Sequence, residues 1–328
     1  MKCASFFAGV GGIDKGFESV LTPDGNKAFE VIYANEFDPS PVKTYQLNSK
    51  LHVDCRDIRN VKADEIPDFD IMLAGFPCQA FSIAGYRQGF ADERGRGTLF
   101  FELIRIIKEK QPSILFLENV KALVTHDNGH TFHVILNKLK SEGYHIKYKV
   151  LNAMNYGNIP QNRERIYLCA FKDPTLYQQF HFPDPIPLKT KLTDIIDFKN
   201  KADEKYYYYE GKFKGDIFEK LKTAMDDPMT VYQWRRWYVR KNMNGVVPTL
   251  TASMGTGGHN VGIVLTRYGI RKLTPRECFN AQGFPPNFLL PDDISDARLY
   301  KQAGNSVCVS LIHRIAEQIE NAINALPI

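Results

Sequence analysis

The chain contains no C-x-x-C pair: its six cysteines, Cys3, Cys55, Cys78, Cys169, Cys278 and Cys308, are scattered through 328 residues. This argues against both a disulfide framework and a paired-thiolate zinc site, and no metal is expected. No run of about 18 apolar residues occurs, so no membrane-spanning helix is expected. The opening residues, MKCASFFAGVGG, carry neither a basic leader segment nor a long apolar stretch. A cytoplasmic protein is the expectation. Net charge is only +5, too mild by itself to imply a polyanionic partner. Acid is missing, however, from one long segment. From Pro228 to Arg276 there are eight Lys or Arg residues and no Asp or Glu.

With 44% hydrophobic and 24% charged residues, the composition is that of a folded globular protein. Over the first 170 residues, short apolar runs alternate with amphipathic stretches, the rhythm of an α/β fold. CASFFAG, FEVIYAN, FDIMLAG, SILFLEN and RIYLCAF read as strands, and LFFELIRIIKEK and HVILNKLKSEG as helices between them. A parallel sheet covered on both faces is expected. Pro174, Pro183, Pro185 and Pro187 mark a boundary, beyond which a Gly- and Thr-rich stretch suggests a smaller second domain. Residues 303–325 return to helical spacing (Val307, Leu311, Ile315, Ile319) and suit packing on the first domain. The domain expectation is therefore 1–182 with 291–328, and 183–290.

The turn FFAGVGG follows the first strand, and its glycines would let backbone approach a ligand closely. Asp14 breaks the strict G-x-G-x-x-G dinucleotide fingerprint. Glu36 ends the second strand, where a carboxylate can accept from two ribose hydroxyls; a tight turn with a solvated Glu explains the same residues equally well. Asp57 and Ile58, after a third short strand, could meet an adenine amino group and an adenine face. Cys78, in GFPCQAFS, lies just past another strand end with Pro77, Gln79 and Ser82 as poor core neighbours. The loop after it, holding Arg94 and Arg96, is basic and glycine-rich, suited to closing over an anion. Glu118 ends the strand SILFLEN on the same edge.

FFAGVGG, GFPCQAFS, ENV, QNRER, RKLTPRECFNAQGFP and YKQAGNSV resemble, in order and spacing, the motif series of C5-type DNA cytosine methyltransferases. The resemblance covers all but roughly residues 185–245. It implies a Rossmann-like sheet with helices on both faces that binds S-adenosyl-L-methionine, releasing S-adenosyl-L-homocysteine. It further implies a smaller, mostly irregular or β target-recognition domain and a double-stranded DNA partner. A monomer in a bacterial or phage-encoded restriction-modification setting, with a cognate endonuclease, fits this. The cofactor residues by resemblance are Phe7, Gly9, Gly11, Gly12, Glu36, Phe37, Asp57, Ile58, Pro77, Leu99, Asn305 and Ser306.

The chemistry needs these residue types. Cytosine C5 is a poor nucleophile until a thiolate adds at C6, which is the role implied for Cys78. Glu118 would hydrogen-bond N3 and the exocyclic amine. Arg163 and Arg165, two apart on a strand-like QNRERIY, are expected on one face, supporting the base and Glu118. The target base must leave the duplex. Ser82, Arg94 and Arg96 belong to the loop over it. The acid-free segment contains VYQWRRWYVRKN, and its Gln233, Arg235, Arg236 and Arg240 are candidates for base or phosphate contacts. If the stretch is extended, Gln233, Arg235 and Trp237 share one face. Thr249, Leu250 and Thr251 resemble the family's Thr-Leu step in the recognition domain. Two rivals fail on residues. An RNA-directed relative would show Pro-Pro-Cys and Cys-Phe-Thr, and a nicotinamide oxidoreductase would leave Cys78 without a use.

Overall fold

The computed structural model describes residues 1–77, 99–212, 215–235, 237–256 and 261–326. The chain forms two compact units: Met1–Leu151 with Glu164–Pro183 and Ile312–Ile328, and Asn152–Arg163 with Asp184–Leu311.

The first unit is built on a seven-stranded sheet. Its strands are β1 (Lys2–Phe6), β2 (Glu30–Asn35), β3 (Val53–Asp54), β4 (Ile71–Ala74), β5 (Ile114–Val120), β6 (His145–Asn152) and β8 (Glu164–Phe171). They lie in the order β3-β2-β1-β4-β5-β8-β6. The order reverses direction at β1 and β4, which pair in parallel with Phe6 opposite Ala74. Such a switch point opens a crevice at the carboxyl ends of the strands, because connections leave it in opposite directions. Residues Asp54, Asn35, Phe6, Ala74 and Leu117 form one continuous row across five strands. Everything one residue beyond that row stands at the crevice edge.

β8 runs antiparallel to β5, so the sheet is mixed rather than wholly parallel. RIYLCAF is buried on both faces, and a doubly buried apolar run reads the same in either direction. β6 was not evident as a strand because it is an edge: His145, Lys149 and Tyr148 are exposed, and lysines on an edge discourage further pairing.

Helices cover the sheet by amphipathic burial. In α3 (Leu99–Lys110), Phe100, Leu103, Ile104, Ile106 and Ile107 are buried, and Lys108 and Lys110 sit in the last turn, where cations complement the helix dipole. These side chains join Phe6, Met72, Leu115, Leu117 and Ile166 in the core. α2 (Pro39–Leu47) is started by Asp38, whose side chain accepts from the Ser40 N–H, with Pro39 in its first turn.

The expected C-terminal helix is two helices, Asp296–Asn305 and Val309–Asn324, separated where Ser306 turns to extended backbone (ψ 179°). Within the first unit, Ile312 of the second of these helices packs against Gly16 of α1 (Gly12–Glu18).

The second unit carries a four-stranded sheet in the order β10-β9-β12-β13, from β9 (Tyr232–Arg235), β10 (Tyr238–Lys241), β12 (Gly262–Thr266) and β13 (Gly269–Lys272). It also holds a short parallel pair, β7 (Gln161–Asn162) with β11 (Val247–Pro248). Buried Arg271 makes two bonds, of 2.7 and 2.8 Å, to Glu277. The same carboxylate completes a capping box with Thr274 at the helix Pro275–Asn280.

A Cβ on Gly16 would stand 2.5 Å from Ile312 Cγ2 and 2.6 Å from its Cβ. Gly16→Ala should therefore lower unfolding stability by about 1–3 kcal/mol with an unchanged denaturant slope. An unchanged denaturation midpoint would contradict the docking of the last helix on α1.

Candidate active site

One residue beyond the row across the first sheet stand Glu36, Phe7, Gly75 and Glu118. Phe7 has φ 54° and Gly9 φ 55°. A Cβ on Gly9 would have no atom within 4 Å, so the turn leaves open space where backbone faces the crevice. Glu36 braces it: Oε2 accepts from the Gly9 N–H at 3.0 Å and Oε1 from the Asp38 N–H at 2.9 Å. Phe37, next to it, has its side chain 63% exposed. Gly11 and Gly12 are buried, and Pro77 is exposed and Leu99 half-buried at either end of the stretch 78–98. Asp57 is held by Arg59, through bonds of 2.9 and 2.5 Å, which keeps its carboxyl below the usual carboxylate range. Ile58 is 2% exposed and belongs to the core, so it offers no open face, contrary to the expectation from sequence.

Asp14 is what lies beneath the glycine turn. It is buried, accepts from Ser5 Oγ at 2.6 Å and from Tyr45 Oη at 2.7 Å, and burial pushes its pKa up to about 6, partly offset by these two bonds. The Tyr45 ring sits directly under Gly11, whose φ is 81°, and a Cβ there would lie 2.8 Å from the ring. Sequence showed only that Asp14 spoils a fingerprint; no local signal pairs it with Tyr45, 31 residues away.

On the other side of the switch point, Glu118 is 8% exposed, and Arg165 Nε lies 3.2 Å from its Oε1. The pair follows from register. Glu118 is opposite Tyr167 and Val120 opposite Arg165, so Glu118 and Arg165 are diagonal neighbours on one face. A Cβ on Gly75 would lie 3.7 Å from Glu118 Oε2, which brings the carboxyl group beside the end of β4. Asn119, not among the expected site residues although it lies in the ENV motif, donates to the Phe76 carbonyl at 2.8 Å. It thereby ties β5 to the segment two residues before Cys78. Cys78 itself, with Ser82, Arg94, Arg96 and Arg236, lies outside the described residues.

Arg163 does not share the face of Arg165. The strand is interrupted between β7 and β8, and Arg163 belongs to the second unit. Its guanidinium, 3% exposed, donates to the carbonyls of Leu250 (2.9 Å), Gly304 (3.1 Å) and Ser306 (2.5 Å). Ser306 Oγ is buried without a hydrogen-bond partner among the described residues, and Asn305 is exposed.

Also in the second unit, β9 and β10 pair as a hairpin, with Trp237 in the turn before β10. This turn resets the alternation. Tyr238 is opposite Arg235 and Arg240 opposite Gln233, while Val239 is opposite Trp234. Trp234 and Val239 pack on the core with Leu221 and Ile263. The other face carries Arg235, Tyr238 and Arg240, and Trp237 at the turn is 81% exposed. Gln233 shares that outer face but is 2% exposed, and Leu250 is fully buried; neither side chain presents the surface expected of a DNA contact. Thr249 is half-buried and bonds to the Asn162 carbonyl, and Thr251 is half-buried as well.

The C-5 cytosine-specific DNA methylase family matches residues 1–321. The chain belongs to that family. It is 54% identical over 319 residues to the Type II methyltransferase M.Bsp6I of Bacillus sp. (strain RFL6), covering 97% of this chain and 98% of that one. To M.NlaX of Neisseria lactamica it is 39% identical, covering 99% and 98%. The Entamoeba histolytica methyltransferase EhMeth has the same fold, with a TM-score of 0.74 at 20% identity and 98% of each chain covered. As a C5 DNA methylase the protein is an enzyme that acts on DNA and uses S-adenosylmethionine. Among the described residues no helix is long and apolar enough to cross a membrane, and no group of three or more His, Cys, Asp or Glu is arranged to hold a metal ion.

Asp14 supplies a pH-dependent test of the network under the turn. Its folded pKa of about 6 lies above the ordinary carboxylate value, so folding takes up a proton between about pH 4 and pH 6. The stability this contributes is full below that window and is lost as pH rises through it. Relative to Asp14→Asn, the wild type should lose up to about 3 kcal/mol between pH 4 and pH 7. Parallel pH profiles of the two proteins in denaturant would contradict a buried carboxyl group there.

Proposed function

We propose that the protein methylates C5 of a cytosine turned out of a short specific double-stranded DNA sequence, as the cytoplasmic modification enzyme of a bacterial or phage-encoded restriction-modification system. It acts as a monomer and requires no metal. The observation that carries this reading is the Glu118–Arg165 pair, a nearly buried carboxyl group held 3.2 Å from a guanidinium at the ligand-bearing edge of the sheet.

The residues present fit S-adenosylmethionine. The space over Gly9 admits a ligand against backbone, the Glu36 carboxylate, anchored by two backbone N–H groups, suits acceptance from ribose hydroxyls, and the exposed Phe37 ring offers a stacking face. Phe7, Gly11, Gly12, Asp57, Ile58, Pro77 and Leu99 are assigned to the same cofactor by resemblance, Ile58 from within the core. Asn305 and Ser306 are assigned to the cofactor as well, and the buried Ser306 hydroxyl, without a partner among the described residues, supports that. When bound, the cofactor supplies a methyl group activated by its sulfonium charge.

The chain's own groups do the rest. The Cys78 thiolate adds at cytosine C6; the C5–C6 π pair becomes a C4–C5 double bond as the C4–N3 π pair moves onto N3, and the enamine so formed makes C5 nucleophilic. Glu118 shares a proton with N3 and accepts from the exocyclic amine, while Arg165 holds the carboxyl group in place. Once C5 carries the methyl group, its proton leaves to a base. That electron pair reforms the double bond, and Cys78 departs as thiolate. The outer face of the hairpin, with Arg235, Tyr238, Arg240 and the exposed Trp237, meets DNA; Arg236, Ser82, Arg94 and Arg96 are assigned to the same partner. Arginines there suit guanine edges.

Two substitutions separate the roles. Cys78→Ser should abolish methyl transfer and leave DNA binding intact, because a hydroxyl is far less ionised and less nucleophilic than a thiol near neutral pH. Glu36→Ala should weaken cofactor binding by roughly 1.5–3 kcal/mol, measured by calorimetry with cofactor alone. Wild-type turnover in the Cys78→Ser enzyme would remove Cys78 from the chemistry, and equal cofactor affinities for wild type and Glu36→Ala would remove Glu36 from the cofactor site.

A further inference from the structure

The Arg163 guanidinium donates to three backbone carbonyls, and these come from two segments far apart in sequence. Leu250 lies in the step Thr249–Thr251, and Gly304 and Ser306 flank Asn305. The neighbouring residues of β7 repeat the pattern. The Thr249 hydroxyl donates to the Asn162 carbonyl, and the Leu250 N–H to Gln161 Oε1. Gln161 Nε2 in turn donates to the Ala281 carbonyl and to Gln282 Oε1, and Gln282 Nε2 donates to the Ala303 carbonyl at 2.7 Å. Gly304 presses so closely on Thr251 that a Cβ would fall on the Thr251 carbonyl group. The two segments are thus locked to each other by one guanidinium, one glutamine pair and one glycine contact, all buried.

We propose that Arg163 is a positioning residue that ties the DNA-facing step Thr249–Thr251 to the cofactor-facing step Asn305–Ser306, so that filling the cofactor site stiffens the DNA-facing step before DNA arrives. This rests on the cofactor role given above for Asn305–Ser306 and on the resemblance of Thr249–Thr251 to the family's recognition-domain step, read as the DNA-facing one although the Leu250 side chain itself is buried. The physical basis is elementary. Multiple charge-assisted bonds from one planar group fix the relative positions of the carbonyls that share it, and a ligand that orders one of them lowers the entropy left for the other to lose. Such coupling between sites is reciprocal and typically amounts to about 5–150-fold. A lysine at this position has a single ammonium on a flexible stem and cannot span three carbonyls in a fixed plane.

Hydrogen exchange of the full chain with S-adenosylhomocysteine as the probe, without DNA, tests this directly. In the wild type, the ligand should slow exchange at the amides of both 304–306 and 249–252, the latter roughly fivefold or more. In Arg163→Lys, protection at 304–306 should persist and protection at 249–252 should vanish, with calorimetry still showing binding. A residue that only maintained the fold would lower protection throughout. Wild-type protection confined to 304–306 would overturn the inference and leave the cofactor reading standing, whatever the variant does. Binding without protection of either segment would overturn the assignment of Asn305 and Ser306, and the inference with it. Ligand-induced protection of 249–252 that survives Arg163→Lys would remove Arg163 from the coupling.

Discussion

The structure depends on the parallel pairing of β1 with β4. Those two strands place the glycine turn and the segment leading to Cys78 side by side, because Phe6 and Ala74 are in register at their carboxyl ends. From that pair, parallel register carries the alignment outward to Asn35 on one side and Leu117 on the other. One step past the row, the chain has two carboxylates on opposite sides of the switch point. A single register error would turn every side chain to the other face, so the burial of Phe6, Met72, Leu115 and Leu117 is also what fixes the site.

The two carboxylates are given different surroundings, which match the different duties proposed for them. Glu36 accepts from two backbone N–H groups and remains partly open to solvent, which suits a fixed acceptor for hydroxyls. Glu118 is nearly buried against a guanidinium, a setting that fixes the carboxyl group and leaves little competition from water. Asn119 ties its strand to Phe76, so the carboxyl group and the approach to Cys78 are held by adjacent residues. Beneath the glycine turn, Asp14 and Tyr45 supply a buried polar support that leaves the upper surface clear.

Much of this was legible in the sequence because the motifs fall where strands end. Glycines at a strand-to-helix turn and acids after apolar runs are local signals, and the edge that collects Glu36, Gly75 and Glu118 follows from an α/β topology. Three features were not legible, for physical reasons. The direction of β8 was hidden because a doubly buried apolar run carries no polarity. The faces of the β9–β10 hairpin were misjudged because the chain reverses between Arg235 and Tyr238, which sets those two residues opposite each other and sends Trp234 into the core. The separate fate of Arg163 was hidden because two arginines at a spacing of two share a face only while the strand continues, and it stops between β7 and β8. The partners of Arg163 are carbonyls, which no sequence pattern announces.

If the Glu118–Arg165 edge serves methylation at a ring carbon, the product itself reports it. Purified protein should be incubated with S-adenosylmethionine and unmethylated bacterial genomic DNA, and the DNA then digested to nucleosides and analysed by chromatography and mass spectrometry. The expected result is 5-methylcytidine in its deoxy form as the only new methylated nucleoside. Methylation on the exocyclic nitrogen of cytosine or adenine instead, by the intact chain, would contradict it.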